Sequence, residues 1–312
     1  MSYPDGVTLA AASCPLGCAA DSSPVVRGRD RIMGIAGEFQ VVRCASCGLL
    51  RTDPRPTLES MGHYYPEDYG PYQSTRIQPA PRPGLWRRLL GPWMNSGAWD
   101  LPPLSPGRLL ELGCASGSFM ERMRKLGWSV EGLEFSRKAA DQARAAGHRV
   151  HVGTVESATE VAGPFDLVVG WMFFEHLHDP VRSLRILRDW TAPRGWLALS
   201  VPDAGSWEFR HFRSRWYALH LPHHLSHFTP ETLTKVLDRA GWRTHRIAWQ
   251  KNPNNTLYSL GYGWADRGRD VLAKLANDIA DARRFRIAQL ALGALFGMFR
   301  WSGRLTVWAR RA

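Results

Sequence analysis

The sequence predicts an α/β protein with a largely parallel sheet, preceded by a small cysteine-rich domain. From Arg108 onward, short apolar segments that suit strands alternate with helix-forming segments, and this alternation is typical of parallel sheets. Four of the five cysteines fall in two close pairs near the start of the chain. A length of 312 residues, with 44% hydrophobic and 22% charged residues, suits a globular protein with a sizeable core.

The two cysteine pairs predict a structural zinc site. Cys14 and Cys18 form the first pair, and Cys44 and Cys47 form the second. Four thiolates from two short loops suit tetrahedral Zn²⁺, and four protein ligands leave no open position for a substrate. The alternatives are a disulfide pair, which a reducing cytosol disfavours, and cysteines that are buried without metal. We therefore expect zinc that stabilises the fold.

The central part of the chain carries the signals of strands and helices in turn. The predicted strands are Arg108–Leu112, Val130–Leu133, Phe165–Gly170 and Trp196–Val201. The predicted helices are Ser118–Leu126, Ser136–Ala146 and the segment from the capping Asp179 to about Trp190. Ligands of such a sheet bind at the carboxyl ends of its strands.

The turn after the first of these strands carries the most specific motif of the chain. It contains Glu111, Gly113 and Gly117, and the next strand ends in the acidic Glu134. Glycines let the backbone approach a ligand, and a carboxylate at that strand end can accept both hydroxyls of a ribose. The combination resembles the cofactor signature of class I S-adenosylmethionine (SAM)-dependent methyltransferases, although Ala115 stands where many members have glycine.

The resemblance implies a Rossmann-like seven-stranded sheet that binds SAM, and an enzyme that transfers a methyl group. The absence of a GxGxxG motif disfavours the alternative, a dinucleotide-binding domain. The late segments Trp242–Trp249 and Arg304–Ala309 resemble the terminal antiparallel strands of the family. The residues that the resemblance places at the cofactor are Glu111, Gly113, Cys114, Gly117, Glu134, Phe135, Val155, Glu156, Trp171 and Met172.

A narrower group of bacterial methyltransferases is similar over nearly the whole chain. The similarity includes the cysteine pairs, the CGLLRTDPRP segment and a tyrosine run; the tyrosines are Tyr64, Tyr65 and Tyr69. Such proteins often act in glycan and deoxysugar pathways, which implies O-methylation of a sugar, a glycan precursor or a small metabolite. Sugar C-methyltransferases share this front end, so C-methylation is an alternative, but they are usually longer than this chain, which disfavours it.

We expect three regions in the chain. Residues 1–60 form the zinc-ribbon-like domain, and residues 61–103 form a linker with cap helices. Residues 104–312 form the methyltransferase domain, with a helical insertion at about 252–300.

The segment HLPHHLSHFTP, residues 220–230, contains four histidines and two prolines. The family has a related stretch at the rim of the substrate pocket, which implies that His223 or His227 is the base on the acceptor side. His176, which follows the fourth strand, is the third candidate. Because the segment contains no HExxH motif and no carboxylate, metal binding by these histidines is disfavoured. Histidines that only bond loop carbonyls are the remaining alternative.

The net charge of +12 and the pI of about 10.0 favour an anionic partner. An RNA methyltransferase is therefore an alternative, disfavoured because the fourth strand ends in GWMF rather than the N/D-P-P-Y/F of many base-methylating enzymes. The N-terminus lacks the features of a signal peptide, which predicts a cytoplasmic protein. The basic segment Pro83–Trp93 and the apolar segment Ile287–Phe299 suggest either peripheral membrane contact or internal packing.

Overall fold

The structure is a computed structural model that describes residues 3–19, 21–65, 100–282, 285–299 and 301–312. Tyr69, the segment Pro83–Trp93 and most of the expected linker and cap helices at 61–103 lie outside these residues.

The cysteine-rich region folds into short antiparallel strands. Its strands are β1 (Leu9–Ala10), β2 (Ser22–Arg29), β3 (Glu38–Cys44), β4 (Leu50–Thr52) and β5 (Arg55–Pro56). β1 pairs with β5, while β2, β3 and β4 form a four-stranded sheet with β11 (Ser226–His227). Because β11 belongs to the histidine-rich segment, a distant part of the chain completes the sheet of the cysteine-rich region.

The second sheet has seven strands. They are β6 (Arg108–Leu112), β7 (Ser129–Glu134), β8 (Arg149–Val152), β9 (Phe165–Trp171), β10 (Thr191–Pro202), β12 (Trp242–Trp249) and β13 (Arg304–Arg311). Their order is β12-β13-β10-β9-β6-β7-β8, and β13 runs antiparallel to both of its neighbours while the other pairs are parallel. This mixed sheet confirms the predicted Rossmann-like methyltransferase architecture.

β10 starts at Thr191, earlier than the predicted Trp196, and its pairing with β9 shifts register between these two residues. Sequence reasoning missed this start because the intervening residues include proline, arginine and glycine, which do not form an apolar run.

Helices cover both faces of the large sheet and form the late insertion. In the described residues they are α1 (Ser118–Lys125), α2 (Arg137–Ala145), α3 (Pro180–Trp190), α4 (Trp207–Phe212), α5 (Pro230–Arg239), α6 (Asn254–Ala265), α7 (Asp270–Asp281) and α8 (Arg286–Met298). The predicted cap at Asp179 is present, and Ser136 and Thr229 cap their helices in the same way: each of the three side chains accepts a hydrogen bond from the first turn of the following helix. None of the described helices has the length and apolar character that crossing a membrane requires.

The cysteine-rich region shares its core with the large domain. Leu49 is fully buried in the cluster that covers one face of the seven-stranded sheet. Phe39 and Leu50 lie in a second cluster with Phe209 and Trp216 of the segment before the histidines. The packing therefore joins the two regions into one body around the histidine-rich segment.

Candidate active site and cysteine cluster

The turn between β6 and α1 is held in a conformation that favours glycine. Gly113 has a φ of +65° and Gly117 a φ of +84°. A Cβ atom at Gly113 would lie 2.9 Å from the ring of Phe173, and one at Gly117 would lie 2.9 Å from the ring of His148. Ala115 also has a positive φ, +45°, so the alanine in this turn adopts a left-handed conformation at some energetic cost.

Glu134 ties the end of β7 to this turn. Its Oε2 accepts a hydrogen bond from the backbone N–H of Ala115 at 2.8 Å, and its Oε1 accepts one from the N–H of Ser136 at 2.8 Å. The side chain is almost completely buried, and this burial raises the pKa of the carboxyl group despite the two hydrogen bonds. The carboxylate therefore lies beside the glycine turn and holds the backbone there.

Glu111 is a second buried carboxyl group at the same strand ends. Burial and the neighbouring Glu134 raise its pKa well above the ordinary value, and its Oε2 has no hydrogen-bond partner among the described residues. A buried carboxylate oxygen without a partner is costly unless a donor or a cation reaches it. SAM carries an ammonium and a sulfonium group, so the glycine turn and the two carboxylates fit this cofactor.

The other predicted cofactor residues lie in different environments. Phe135 follows Glu134 and is 52% exposed, so its ring is free to contact a flat ligand. The thiol of Cys114 packs over Gly132 in the interior, which leaves only its backbone facing the turn. Val155 is buried in the main core, and the carboxylate of Glu156 is hydrogen bonded to the hydroxyl of Ser183.

Trp171 and Met172 lie where β9 ends. The indole of Trp171 packs edge-on against Phe119 at a ring distance of 5.3 Å. Met172 has a φ of +54°, which is strained for a methionine, and its backbone N–H donates to the carbonyl of Ser200 at 2.9 Å. Strained residues of this kind are concentrated at functional sites, and this one lies at the carboxyl edge of the sheet.

The predicted catalytic histidines are largely buried together. His223 and His227 are 0% and 2% exposed, while His176 is partly exposed. The ring of His176 lies 4.8 Å from that of His224, and the rings of His220 and His223 stack at 4.3 Å. The histidine-rich segment is thus packed inside the protein, where it contacts the residues after β9.

Most of these imidazoles have a protein partner. The Nε2 atom of His223 lies 2.5 Å from the carbonyl oxygen of Tyr64, and Nδ1 of His176 lies 2.8 Å from the hydroxyl of Tyr65. Burial, and then the neighbouring His223, lower the pKa of His176 to about 3. Burial also lowers the pKa of His227 to about 3. Both rings are therefore neutral near physiological pH.

Two polar residues near His176 were not among the predicted site residues. Glu175 and His224 lie beside His176. A carboxylate oxygen of Glu175 and one ring nitrogen of each histidine are within 4.8 Å of one another. Burial raises the pKa of the Glu175 carboxyl group to about 8. The sequence places Glu175 directly before His176, but it does not show that His224 lies opposite.

The four N-terminal cysteines lie together; Cys14 and Cys44 are buried, while Cys18 and Cys47 are partly exposed. Their sulfur atoms are within 4.8 Å of one another, and Sγ of Cys14 lies 3.5 Å from Sγ of Cys47. A tetrahedral zinc ion with Zn–S bonds of about 2.3 Å separates its sulfur ligands by about 3.8 Å, close to this distance. Gly17 and Gly48, with φ values of +77° and +80°, shape the two loops. All four residues are free thiols, and the donor set fits structural zinc.

The seven-stranded mixed sheet, the glycine turn and the acidic strand end define a class I SAM-dependent methyltransferase. A family model described as a methyltransferase domain matches residues 88–247, which is more than half of the chain. The chain belongs to this methyltransferase family, and it is an enzyme of the SAM-dependent methyltransferase class.

Related proteins that are named as methyltransferases support the same enzyme class. A ubiquinone biosynthesis O-methyltransferase of Aromatoleum aromaticum is 27% identical over 172 residues, covering 51% of this chain and 74% of the relative. One of Bordetella avium is 29% identical over 167 residues, covering 49% of this chain and 69% of the relative. The crystal structure of the cyclase SpnF, at 19% identity and a TM-score of 0.50, covers 82% of this chain and 97% of that chain. At that identity the structural likeness shows the fold alone.

Proposed function

We propose that this enzyme transfers the methyl group of SAM to a hydroxyl oxygen of a small-molecule acceptor. The observation that carries the proposal is a polar cluster at the end of β9, where His176 follows Trp171 and Met172 and contacts Tyr65 and His224. Polar groups at this edge of the sheet face the position where ligands of such folds bind. The two relatives described above are named O-methyltransferases, which supports oxygen as the methylated atom.

The chain's own residues bind and orient the reactants. When it is bound, SAM supplies a methyl group on a sulfonium, a good leaving group, so alignment of the acceptor contributes much of the rate. Glu134 is proposed to accept the ribose hydroxyls, and Glu111 to lie near the positive charge. Both carboxylates are buried beside the glycine turn, where a cationic ligand stabilises their ionised form.

His176 is the proposed contact for the acceptor hydroxyl. It follows β9, it is partly exposed, and its neutral ring can accept a hydrogen bond. A pKa of about 3 makes this imidazole a weak base, so we assign it mainly to positioning of the hydroxyl, and the proton that the hydroxyl loses passes to solvent at this partly exposed residue. His223 and His227 remain the alternative candidates, and both are more deeply buried.

The proposed acceptor is a sugar, a glycan precursor or a small metabolite. The resemblance of the cysteine pairs and the CGLLRTDPRP segment to bacterial glycan and deoxysugar methyltransferases supports the first two classes. The names of the relatives support a second candidate, a hydroxyl group of a ubiquinone precursor. C-methylation of a sugar and methylation of RNA stay alternatives, the latter because of the +12 charge.

A methyl-transfer screen tests the proposal. The enzyme is incubated with SAM labelled with ¹³C at the methyl group and with nucleotide sugars, quinol precursors, glycolipids or RNA. We expect labelled product with a small-molecule acceptor, and the chemical shift of the carbon distinguishes O-methyl from C-methyl. The matched control is Glu134→Ala, which should lose product at low SAM. A C-methyl product, or transfer to RNA alone that falls steeply with salt, would contradict the proposal.

For the cysteine-rich region we propose one structural zinc ion, held by Cys14, Cys18, Cys44 and Cys47. The sulfur cluster supports it, and so does the packing of the neighbouring Leu49 in the main core. The expected domain limits, 1–60, 61–103 and 104–312, are part of this proposal.

Peripheral membrane contact is also proposed, at the apolar end of α8. The exposed large side chains there are Leu295, Met298, Phe299 and Trp301. Sedimentation with anionic vesicles tests it, because Phe299→Ser should reduce binding if this surface inserts.

A further inference from the structure

We infer that Glu175, His176 and His224 form a second metal site, which takes a divalent first-row transition metal ion. The three side chains offer one carboxylate oxygen and two imidazole nitrogens within 4.8 Å of one another. Glu175 and His176 belong to the 3₁₀ helix Phe174–His176, and His224 comes from the histidine-rich segment. The backbone N–H of Leu225 donates to the carbonyl of Glu175 at 2.8 Å, which fixes the two segments against each other.

Glu175 is the residue that needs a partner. Its side chain is 0% exposed, and neither carboxylate oxygen has a hydrogen-bond partner among the described residues. A buried carboxyl group in this condition is costly, and such groups are normally paired, hydrogen bonded or bound to a metal. The carboxylate faces the cluster, because its Oε1 lies 3.7 Å from Nε2 of His224.

His224 has the arrangement of a metal-binding histidine. Its Nδ1 lies 2.9 Å from the carbonyl oxygen of Ala218, and a carbonyl only accepts, so Nδ1 carries the proton and donates. The lone pair is then on Nε2, the atom that faces Glu175. Histidine ligands commonly donate their other N–H to a backbone carbonyl, which fixes the ring and its tautomer. His224 therefore presents an unprotonated nitrogen to a carboxylate oxygen.

The spacing suits an ion between these atoms. Ligands at about 2.1 Å from a tetrahedral ion are roughly 3.4 Å apart, so the observed 3.7 Å needs a closure of only a few tenths of an ångström. One carboxylate and two imidazoles favour ions such as Zn²⁺, Co²⁺, Fe²⁺ or Mn²⁺ over Ca²⁺. The sequence disfavoured a metal here because the histidine run contains no carboxylate, but Glu175 supplies one from a different element.

Three protein ligands leave at least one coordination position open, as in catalytic rather than structural sites. Under the proposed function, on which this role rests, the open position would take the acceptor oxygen, and this would replace a direct hydrogen bond from the hydroxyl to His176, because a neutral imidazole has one nitrogen lone pair. An oxygen bound to a divalent ion holds its proton less tightly. The metal site itself does not depend on the identity of the acceptor.

Metal binding is tested directly on the full chain, with Zn²⁺ and Co²⁺ alone as the probes. After saturation and removal of free ions, we expect two ions per chain in the unaltered protein and one in Glu175→Gln. Loss of a residue that only supports a metal ligand lowers metal affinity roughly 10–100-fold. Because Glu175 is a proposed ligand itself, the variant should weaken binding of the second ion at least as much. The matched control is His227→Gln, a buried histidine of the same segment outside the cluster, which should retain two ions.

X-ray absorption of the cobalt- or zinc-loaded protein provides a readout that needs no variant. Nitrogen and oxygen neighbours in addition to sulfur support the second site, whereas four sulfur neighbours alone overturn it. Equal metal content in the unaltered protein and Glu175→Gln also overturns it. Because neither measurement contains SAM or an acceptor, a failed metal site and a failed methyl-transfer proposal are distinguishable.

Discussion

The Nε2 atom of His227 lies 3.1 Å from Oγ1 of Thr52, and this contact joins the histidine-rich segment to the sheet of the cysteine-rich region. The hydroxyl of Thr52 donates its own proton to the carbonyl of His224 at 2.7 Å. Thr52 Oγ1 must therefore accept from His227, so the proton of that ring is on Nε2. His227 and Ser226 also pair with β4 through their backbone.

This geometry predicts that His227 contributes more to stability than to turnover. Replacing His227 with Ala removes a buried hydrogen bond and leaves a cavity, which should cost about 2 kcal/mol of unfolding free energy. His227→Gln keeps a donor that can reach Thr52 and should recover part of the loss. Denaturant unfolding measures the first effect, and turnover should change little at temperatures well below the melting point.

A loss of turnover without a loss of stability would give His227 a catalytic role instead. A loss of turnover of the order of 10²-fold in His227→Ala, at unchanged unfolding free energy, would identify this residue as the acceptor base. His176→Ala in the same assay should lower turnover while the dissociation constant for SAM stays nearly unchanged. Full activity in His176→Ala would remove His176 from the acceptor site.

SAM binding should depend on Glu134. Glu134→Ala removes a buried carboxylate that holds the backbone N–H groups of Ala115 and Ser136, and we expect a loss of about 1.5–3 kcal/mol in SAM affinity. That corresponds to a dissociation constant raised roughly 10–150-fold, measured by calorimetry.

A carboxylate of the same strand serves as the control for the SAM measurement. Glu131 is hydrogen bonded to Arg108 and His151 instead, so Glu131→Gln should leave the dissociation constant unchanged. Equal affinity in the unaltered protein and Glu134→Ala would show that the ribose contact is wrongly assigned.

Local signals explain how much of the fold the sequence could predict. Asp179 and Thr229 each cap a helix, and the capping hydrogen bond is made within the first turn of that helix. A serine, threonine or aspartate just before a helical pattern of apolar residues is therefore a local signal that the sequence shows. The glycine turn and Glu134 were predicted for a similar reason, since a strand, a turn and the next strand end lie close together in sequence.

The parts that the sequence did not reveal depend on distant partners. Ser226 pairs with Arg51, which lies far earlier in the sequence. A two-residue strand such as β11 is also too short to show a periodic pattern. Glu175 and His224 likewise meet only because the fold brings two segments together. The spacing of the histidines at 220–227 could not reveal the carboxylate of Glu175, because Glu175 belongs to a different segment.

We expect about one zinc ion per chain at the four cysteines in protein purified without added metal. Cys44→Ser should remove that ion and lower the melting temperature, because the metal fixes two loops whose neighbours, Leu16 and Leu49, pack in the main core. Metal analysis and thermal unfolding are the measurements. Purified protein with a zinc content near zero, or Cys44→Ser with unchanged zinc, would remove the site.

An ion pair connects the cysteine-rich region to the helical insertion. The guanidinium of Arg31 donates to both carboxylate oxygens of Asp266, each at 3.0 Å, and Arg215 donates to one of them at 2.7 Å. The two hydrogen bonds from Arg31, and then the one from Arg215, lower the pKa of Asp266 from 3.8 to about 2. Because the folded pKa lies below the unfolded one, this pair stabilises the fold above pH 4, and the contribution is lost as the pH falls towards 2.

Asp266→Asn should therefore destabilise the protein at neutral pH and lose its effect in acid. The full pKa shift corresponds to about 2 kcal/mol, and because the pair is partly exposed we expect a smaller effect of about 1 kcal/mol. Unfolding free energies of both proteins between pH 7 and pH 2 measure the difference. Asp189→Asn, at an exposed carboxylate 3.5 Å from Arg188, is the control and should change little. A difference between the unaltered protein and Asp266→Asn that persists at pH 2 would mean that Asp266 acts through packing rather than through its charge.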